Sequence, residues 1–249
     1  MGLKAALRDR APLIGTFQKT PSAVVSEVLG QTGLDMVCLD AEHAPFDRGD
    51  LDACILALRA ASMSSLVRIQ ANRPEYILNA LDCGAEGVLV PHVITGEDAA
   101  ALGGQAHFGT GRGYAGSTRA AAYGARAMPE HISRSADETV AIAQIEDAEA
   151  LECLSDLFDA PGVDGFFIGR ADLTVSLGAA SPAAPEVIEA VEMICRQGQE
   201  AGTAIGMFTG QMDELAHWRA LGASFFLLGS DHGFVKAGAA NLLAEGSVP

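Results

Sequence analysis

Residues 139–178 have the sequence TVAIAQIEDAEALECLSDLFDAPGVDGFFIGRADLTVSLG, the pattern of a β-strand, a helix and a second β-strand. A carboxylate stands at or just beyond the end of each strand: Glu146 after the first and Asp172 after the second. Strands of a parallel sheet all end on one face, so two acids in these positions should converge, whereas solvated acids would scatter over helix faces. The pair predicts a site for Mg²⁺ or Mn²⁺ that leaves coordination positions free for a substrate and water. Alternatively, each carboxylate caps the helix that follows its strand.

Short apolar runs of the same kind recur along the whole chain. Eight parallel strands close a barrel, and runs that are nearly continuous in apolar character suit a parallel sheet covered by helices. With 249 residues and no linker, the chain is predicted to be a single (β/α)8 TIM barrel domain over residues 1–249. Residues 93–139 predict an extended loop after strand four, and a closing C-terminal helix is expected from about residue 233. The eight predicted strands are 13–18, 35–40, 65–69, 87–91, 140–146, 163–169, 203–208 and 224–230.

The overall charge and the cysteines limit the classes of function. A formal charge of -16, from 32 acidic and 16 basic residues, would repel a phosphate backbone, so no nucleic-acid partner is expected. The five cysteines are odd in number and form no CxxC pair, which favours buried thiols in a reducing compartment. No apolar run approaches the length of a membrane span or a signal peptide. These features predict a cytoplasmic protein with no membrane partner.

Two further strand ends carry residues with catalytic potential. The second strand leads into Asp40, Glu42 and His43, and the third strand ends with Arg68. A lone histidine is more often structural, but its place beyond a strand in a polar cluster favours a general base or proton shuttle for His43. Arg68 is either a salt-bridge arginine or a residue that binds a substrate carboxylate or enolate, because an arginine at the inner end of an apolar strand needs an anion.

A glycine-rich segment at 108–124, FGTGRGYAGSTRAAAYG, lies within the long loop. Residues 111–116 match the dinucleotide pattern GxGxxG, but the preceding strand ends about twenty residues upstream, so a nicotinamide site is rejected. Arg112 and the backbone N–H groups of this loop remain candidates for binding an anionic substrate.

Lysine is scarce in this chain, with only Lys4, Lys19 and Lys236. An aldolase that works through a Schiff base needs a lysine projecting into the barrel mouth, and only Lys19, one residue past the first strand, is placed for that. The metal-dependent route is therefore favoured. His92 and His232 also follow strands and are interpreted as structural or pocket-lining residues.

Six collinear segments of the chain carry a recognisable set of motifs: DAEHAP (40–45), LVRI (66–69), LDCGAEGVLVP (81–91), GRGY (111–114), QIED (144–147) and GVDGFFIGRADLTVSLG (162–178). Together they resemble the HpcH/HpaI aldolases, the class II, metal-dependent pyruvate aldolases that cleave 4-hydroxy-2-oxo acids. The resemblance implies that Glu146 and Asp172 hold the metal, Mg²⁺ or Mn²⁺ with Co²⁺ as a third candidate, and that Gln144 and Ala171 also contact the substrate.

The same resemblance assigns the remaining roles. It implies that Arg68 stabilises the enolate and that His43 accepts a proton, made more basic by Asp82. Asp82 precedes strand four, away from the metal, so it is either a helix-end aspartate or reaches a histidine of a neighbouring subunit in a homo-oligomer, a hexamer by resemblance. Arg170 departs from the family pattern, where proline is frequent, and is expected to add a positive charge beside the metal that affects acceptor choice.

The predicted activity is reversible cleavage of a 4-hydroxy-2-oxo acid into pyruvate and an aldehyde, all small-molecule partners. One alternative is a lyase acting on a CoA thioester, of the citrate-lyase or malyl-CoA type, although few lysines are present to bind CoA phosphates. The other alternative is a non-catalytic barrel that binds oxo acids.

Overall fold

A closed barrel of eight parallel strands, in chain order, forms the centre of the computed structural model, which describes residues 2–246. This confirms the predicted TIM barrel, and every predicted strand is present with its ends shifted by no more than a few residues. The strands are β1 (Leu13–Gln18), β2 (Met36–Asp40), β3 (Ser64–Arg68), β4 (Gly87–Val90), β5 (Val140–Ile145), β6 (Gly165–Ile168), β7 (Ile205–Thr209) and β8 (Ala223–Ser230).

Helices surround the barrel, and local sequence signals set several of their ends. Asp47 and Asp50 form a reciprocal capping box at the start of α3, and Pro74 occupies the first turn of α4, where its missing N–H costs nothing. Gly202 ends α9 in the left-handed conformation. The helices are α1 (Leu3–Arg8), α2 (Ala23–Gly30), α3 (Arg48–Ala60), α4 (Pro74–Asp82), α5 (Gly96–Ala106), α6 (Met128–Glu138), α7 (Leu154–Phe158), α8 (Arg170–Ser176), α9 (Pro185–Ala201), α10 (Leu215–Ala220) and α11 (Asp231–Gly246).

The core has two layers because successive side chains of a strand point to opposite faces. On β2, Val37 and Leu39 pack with the helices, whereas Met36 and Cys38 belong to the cluster that fills the barrel interior. Leu7 of α1 joins that interior cluster and is fully buried. The barrel interior is therefore a packed core.

The long segment after β4 and the C-terminal helix both appear as expected. Residues 93–139 contain α5 and α6, with a stretch from 107 to 127 between them that includes one short 3-10 turn. The closing helix α11 begins at Asp231, and residues 232–246 are exposed. Within residues 2–246 no helix is long and apolar enough to cross a membrane. The five cysteines are free thiols, four of them buried.

Candidate active site

The carboxyl ends of β2 and β3 place a buried ion pair at the mouth of the barrel. Asp40 lies opposite Arg68 in the register of these strands. Arg68 donates from Nε to Asp40 Oδ1 at 3.0 Å and from Nη2 to Oδ2 at 2.8 Å. The Lys19 ammonium lies 3.2 Å from Asp40 Oδ2. Arg68 thus has a protein carboxylate as its partner, held in a bidentate geometry that fixes the guanidinium plane.

Glu42 lies between this ion pair and a second group of polar side chains, His92 and Glu146. Its Oε2 lies 3.3 Å from Arg68 Nε and 3.7 Å from His43 Nε2, yet it is buried and accepts no hydrogen bond within the described chain. Desolvation by burial raises the pKa of Glu42; the charge of Arg68 opposes this shift, and the negative charges of Asp40 and Asp172 add to it. Glu42 therefore has a cation beside it but no donor bonded to Oε2 in residues 2–246.

The second group is formed at the ends of β4 and β5. Ligand atoms of Glu42, His92 and Glu146 all lie within 4.8 Å of one another. Glu146 is 1% exposed, and its carboxylate accepts from the His92 backbone N–H at 3.0 Å and from the Gln144 amide. Burial raises the pKa of Glu146. The left-handed backbone of His92 (φ 54°) turns the chain so that its N–H and ring both meet this carboxylate.

The His92 ring is further oriented by Asp147, whose Oδ2 lies 3.0 Å from Nδ1. Burial alone would lower the pKa of His92, but the carboxylates of Asp147 and Glu146 outweigh it and raise that pKa. Three carboxylates and an imidazole therefore meet at one side of the mouth.

Asp172, the other predicted metal ligand, lies in the first turn of α8 and is half-buried, next to the exposed Ala171. Its negative charge contributes to the raised pKa of Glu42. His43 stands at the rim with its side chain half exposed, and its backbone N–H donates to Asp40 Oδ1 at 3.2 Å. Of the two strand-end acids from 139–178, Glu146 lies beside Glu42, which follows β2.

The chemistry of this donor set fits a hard divalent cation. Glu42 Oε2 and Gln144 Oε1 are buried oxygens without a hydrogen-bond donor in residues 2–246. Clustered carboxylates with raised pKa values repel one another, and a divalent cation would relieve both the repulsion and the missing partners.

Gly169 is essential to the geometry of this group. A Cβ at this position would lie 2.5 Å from Glu146 Oε2 and 2.8 Å from Glu146 Cβ, so the carboxylate could not keep its place. Gly169→Ala is expected to reduce activity about a hundredfold, since a displacement near 1 Å in a positioned group has that effect. Gly210→Ala is the matched control, because a Cβ there would meet open space. Steady-state kinetics on both variants check the prediction, and equal activities would contradict it.

The structure places Asp82 and Arg112 at the other end of the barrel. Asp82 ends α4, before β4, and the Arg112 guanidinium lies 3.7 Å from its Oδ1 and donates to Ser135 Oγ at 3.1 Å. The Arg112 side chain also stacks on Phe108, with 4.4 Å from Cζ to the ring centre. A helix that leads into a strand ends near the amino end of that strand, which is opposite the barrel mouth. Within residues 2–246, Asp82 and Arg112 therefore do not join the group of Glu42, His92 and Glu146.

The sequence signals did not single out Glu42 and His92 as possible ligands. Both follow apolar strands directly, as Glu146 does, and that shared position is the signal that could have identified them. The sequence predicts the face on which Asp40 lies, but its bond to Arg68 depends on strand register.

A parallel eight-stranded barrel whose strand ends gather carboxylates around an arginine has the layout of a barrel enzyme site. The chain belongs to the HpcH/HpaI aldolase/citrate lyase family, whose model matches residues 13–237. This confirms the resemblance found in the sequence.

Individual relatives agree with this membership. The chain is 32% identical over 237 residues, 94% of this chain and 92% of the relative, to the 5-keto-4-deoxy-D-glucarate aldolase of Salmonella paratyphi C (strain RKS4594). A solved HpcH/HpaI aldolase/citrate lyase family protein from Burkholderia cenocepacia J2315 superimposes with a TM-score of 0.93 at 31% identity, covering 99% of each chain. The citrate synthase SbnG has a TM-score of 0.87 at 26% identity, covering 98% of this chain and 97% of that one. The aldolase relatives support a lyase activity.

Proposed function

We propose that this protein is a divalent-metal-dependent aldolase that reversibly cleaves a 4-hydroxy-2-oxo acid into pyruvate and an aldehyde. The observation that carries the proposal is the Glu42 carboxylate, which lies between the Asp40-bound Arg68 and the buried Glu146. The candidate cation site around Glu146 therefore lies next to the guanidinium of Arg68, which Asp40 holds in place. The aldolase relative is named for a keto-deoxy sugar acid, which agrees with an oxo-acid substrate.

Glu146 and Asp172 would hold the cation, Mg²⁺, Mn²⁺ or Co²⁺, with Glu42 and His92 as neighbours able to ligate it directly or through water. When bound, such a cation supplies Lewis acidity for a 2-oxo acid and its developing negative charge. Gln144 and Ala171 flank these positions and are the proposed substrate contacts. Gln144 is fixed by its bond to Glu146.

Arg68 would stabilise the enolate oxygen of pyruvate. Its bonds to Asp40 occupy Nε and Nη2, and a guanidinium carries five N–H donors, so others remain for a substrate oxygen. The ring of Phe17 packs under it, with 4.6 Å from Arg68 Cζ to the ring centre. Because the side chain is oriented before substrate arrives, no reorganisation is needed as charge develops.

His43 would accept the hydroxyl proton of the substrate as the carbon–carbon bond breaks, and return it in the reverse direction. Its half-exposed position at the rim suits contact with the acceptor end of the substrate. Asp82 lies at the opposite end of the same barrel and cannot orient this imidazole within one chain. If Asp82 does support His43, it comes from a neighbouring copy, which leads us to propose a homo-oligomer, a hexamer by family resemblance.

Metal removal tests this function directly. We expect EDTA to abolish cleavage of a 4-hydroxy-2-oxo acid and exchange of the pyruvate methyl protons in D₂O, followed by NMR, and Mg²⁺, Mn²⁺ or Co²⁺ to restore both. Lys19→Met should keep the metal-dependent activity. Activity that survives EDTA and is lost on treatment with borohydride and pyruvate would instead indicate a Schiff base on Lys19.

Substrate choice separates the alternatives. Turnover of malyl-CoA without turnover of a hydroxy-oxo acid would replace the aldolase by a CoA-thioester lyase. Pyruvate that raises the melting temperature without any metal-dependent exchange of its methyl protons would indicate a binding barrel.

A further inference from the structure

A partly buried ion pair joins the loops that follow β6 and β7. Arg170 Nη1 lies 2.7 Å from Glu214 Oε2, and the Arg170 side chain is only 10% exposed. Arg170 begins α8, and Glu214 ends the 3-10 turn that precedes α10. The two residues are far apart in sequence, so their contact sets the distance between two loops at the barrel mouth.

Additional contacts fix the arginine. Nε donates to the Pro182 carbonyl at 2.8 Å, and the guanidinium carbon lies 5.5 Å from the centre of the Trp218 ring. A planar guanidinium bound along two edges and stacked on a ring keeps one orientation. We name Arg170, Pro182, Glu214 and Trp218 the Arg170 clamp.

The glutamate is fixed equally well. Trp218 Nε1 donates to Glu214 Oε2 at 3.2 Å, and Thr209 Oγ1, at the end of β7, lies 3.5 Å from the same oxygen. Desolvation alone would raise the pKa of Glu214, but the hydrogen bonds from Arg170 and Trp218 lower it. Glu214 therefore stays ionised and paired near neutral pH.

The clamp bears directly on the candidate metal site because of where Arg170 lies in the chain. Gly169 packs against Glu146, and Asp172 follows two residues after Arg170. Helix α8 has seven residues and no side-chain N-cap, and a helix this short is not stable by itself in water. Its position must come from tertiary contacts, and the clamp supplies them at its first residue.

We propose that Arg170 and Glu214 are positioning residues that set the separation of Asp172 and Glu146 for metal binding, an inference that rests on the proposed function. The guanidinium charge is neutralised by Glu214 and held away from solvent. The positive charge that Arg170 was expected to add beside the metal is thus paired with Glu214. Arg170 acts on the site through the backbone of 169–172.

Mn²⁺ binding to the metal-free protein, measured by electron paramagnetic resonance, tests the positioning role without turnover. We expect Arg170→Met, Glu214→Gln and the double variant each to weaken Mn²⁺ binding about tenfold, the usual size of effects from residues that support metal ligands. The double variant should be no worse than either single one, because both remove the same contact. Arg170→Lys should recover part of the affinity.

Arg134→Met is the matched control. Arg134 also lies 2.7 Å from a glutamate, Glu138, but that pair is exposed on α6, before β5 and away from the mouth. Mn²⁺ affinity of Arg170→Met within about twofold of the wild type would overturn the positioning role, even if the melting temperature fell. By contrast, wild-type protein that binds Mn²⁺ but neither cleaves hydroxy-oxo acids nor exchanges pyruvate protons would contradict the proposed function alone.

Discussion

Glu146→Gln is expected to lower metal-dependent exchange of the pyruvate methyl protons by about a thousandfold. The substitution keeps the size of the side chain but removes the charge that a divalent cation needs. Mn²⁺ affinity should fall in parallel, since Glu146 is 1% exposed and lies within the group of possible ligands formed with Glu42 and His92. Isothermal titration and NMR exchange rates on the same preparation measure both quantities.

Measurements of stability distinguish the expected loss of activity in Glu146→Gln from a loss caused by unfolding. Burial raises the pKa of Glu146 above its ordinary value of 4.5. When folding raises the pKa of a carboxyl group, that group does not affect stability at a pH below its unfolded-state pKa. At higher pH it destabilises the folded protein, increasingly so until the pH passes its folded-state pKa. In EDTA, Glu146→Gln should therefore gain stability relative to the wild type as the pH rises above 4.5. The control is Glu149→Gln, an exposed carboxylate three residues on, which should change neither activity nor stability. Wild-type exchange rates in Glu146→Gln would exclude Glu146 as a ligand.

The fold could be predicted from the sequence because its signals are local. Strands β5 and β6, for example, are short apolar runs buried along their whole length, and the acids that follow them are adjacent to those runs in the chain. The residues that surround them were harder to identify. The bond between Asp40 and Arg68 depends on the register of two strands, and the role of His92 depends on a left-handed backbone. Neither the strand register nor the left-handed backbone of His92 can be recognised from a pattern of residues in the sequence.

The path of a long loop is also not specified by composition. Arg112 was a reasonable candidate for anion binding because it lies in a glycine-rich segment. The stretch from 107 to 127 instead returns to the amino ends of the strands, where Arg112 stacks on Phe108 and pairs with Asp82. That path depends on contacts with α4 and α6 that are distant in sequence.

Arg68→Met should reduce kcat about a hundredfold to a thousandfold, because it removes the donors proposed for the enolate oxygen. It should also lower the free energy of unfolding by about 2 kcal/mol, since the buried Asp40 loses two charge-assisted bonds while keeping Lys19. Steady-state kinetics and urea denaturation measure the two effects separately.

The double variant Arg68→Met, Asp40→Asn distinguishes the chemical role of Arg68 from its structural one. Removing the Asp40 charge together with its partner should recover much of the lost stability, because a neutral amide is cheaper to bury unpaired than a carboxylate. Activity should remain as low as in the single variant, since the enolate still has no guanidinium. If activity returned with stability, Arg68 would be a structural residue whose only task is to neutralise Asp40, and stabilisation of the enolate would have to come from elsewhere at the barrel mouth.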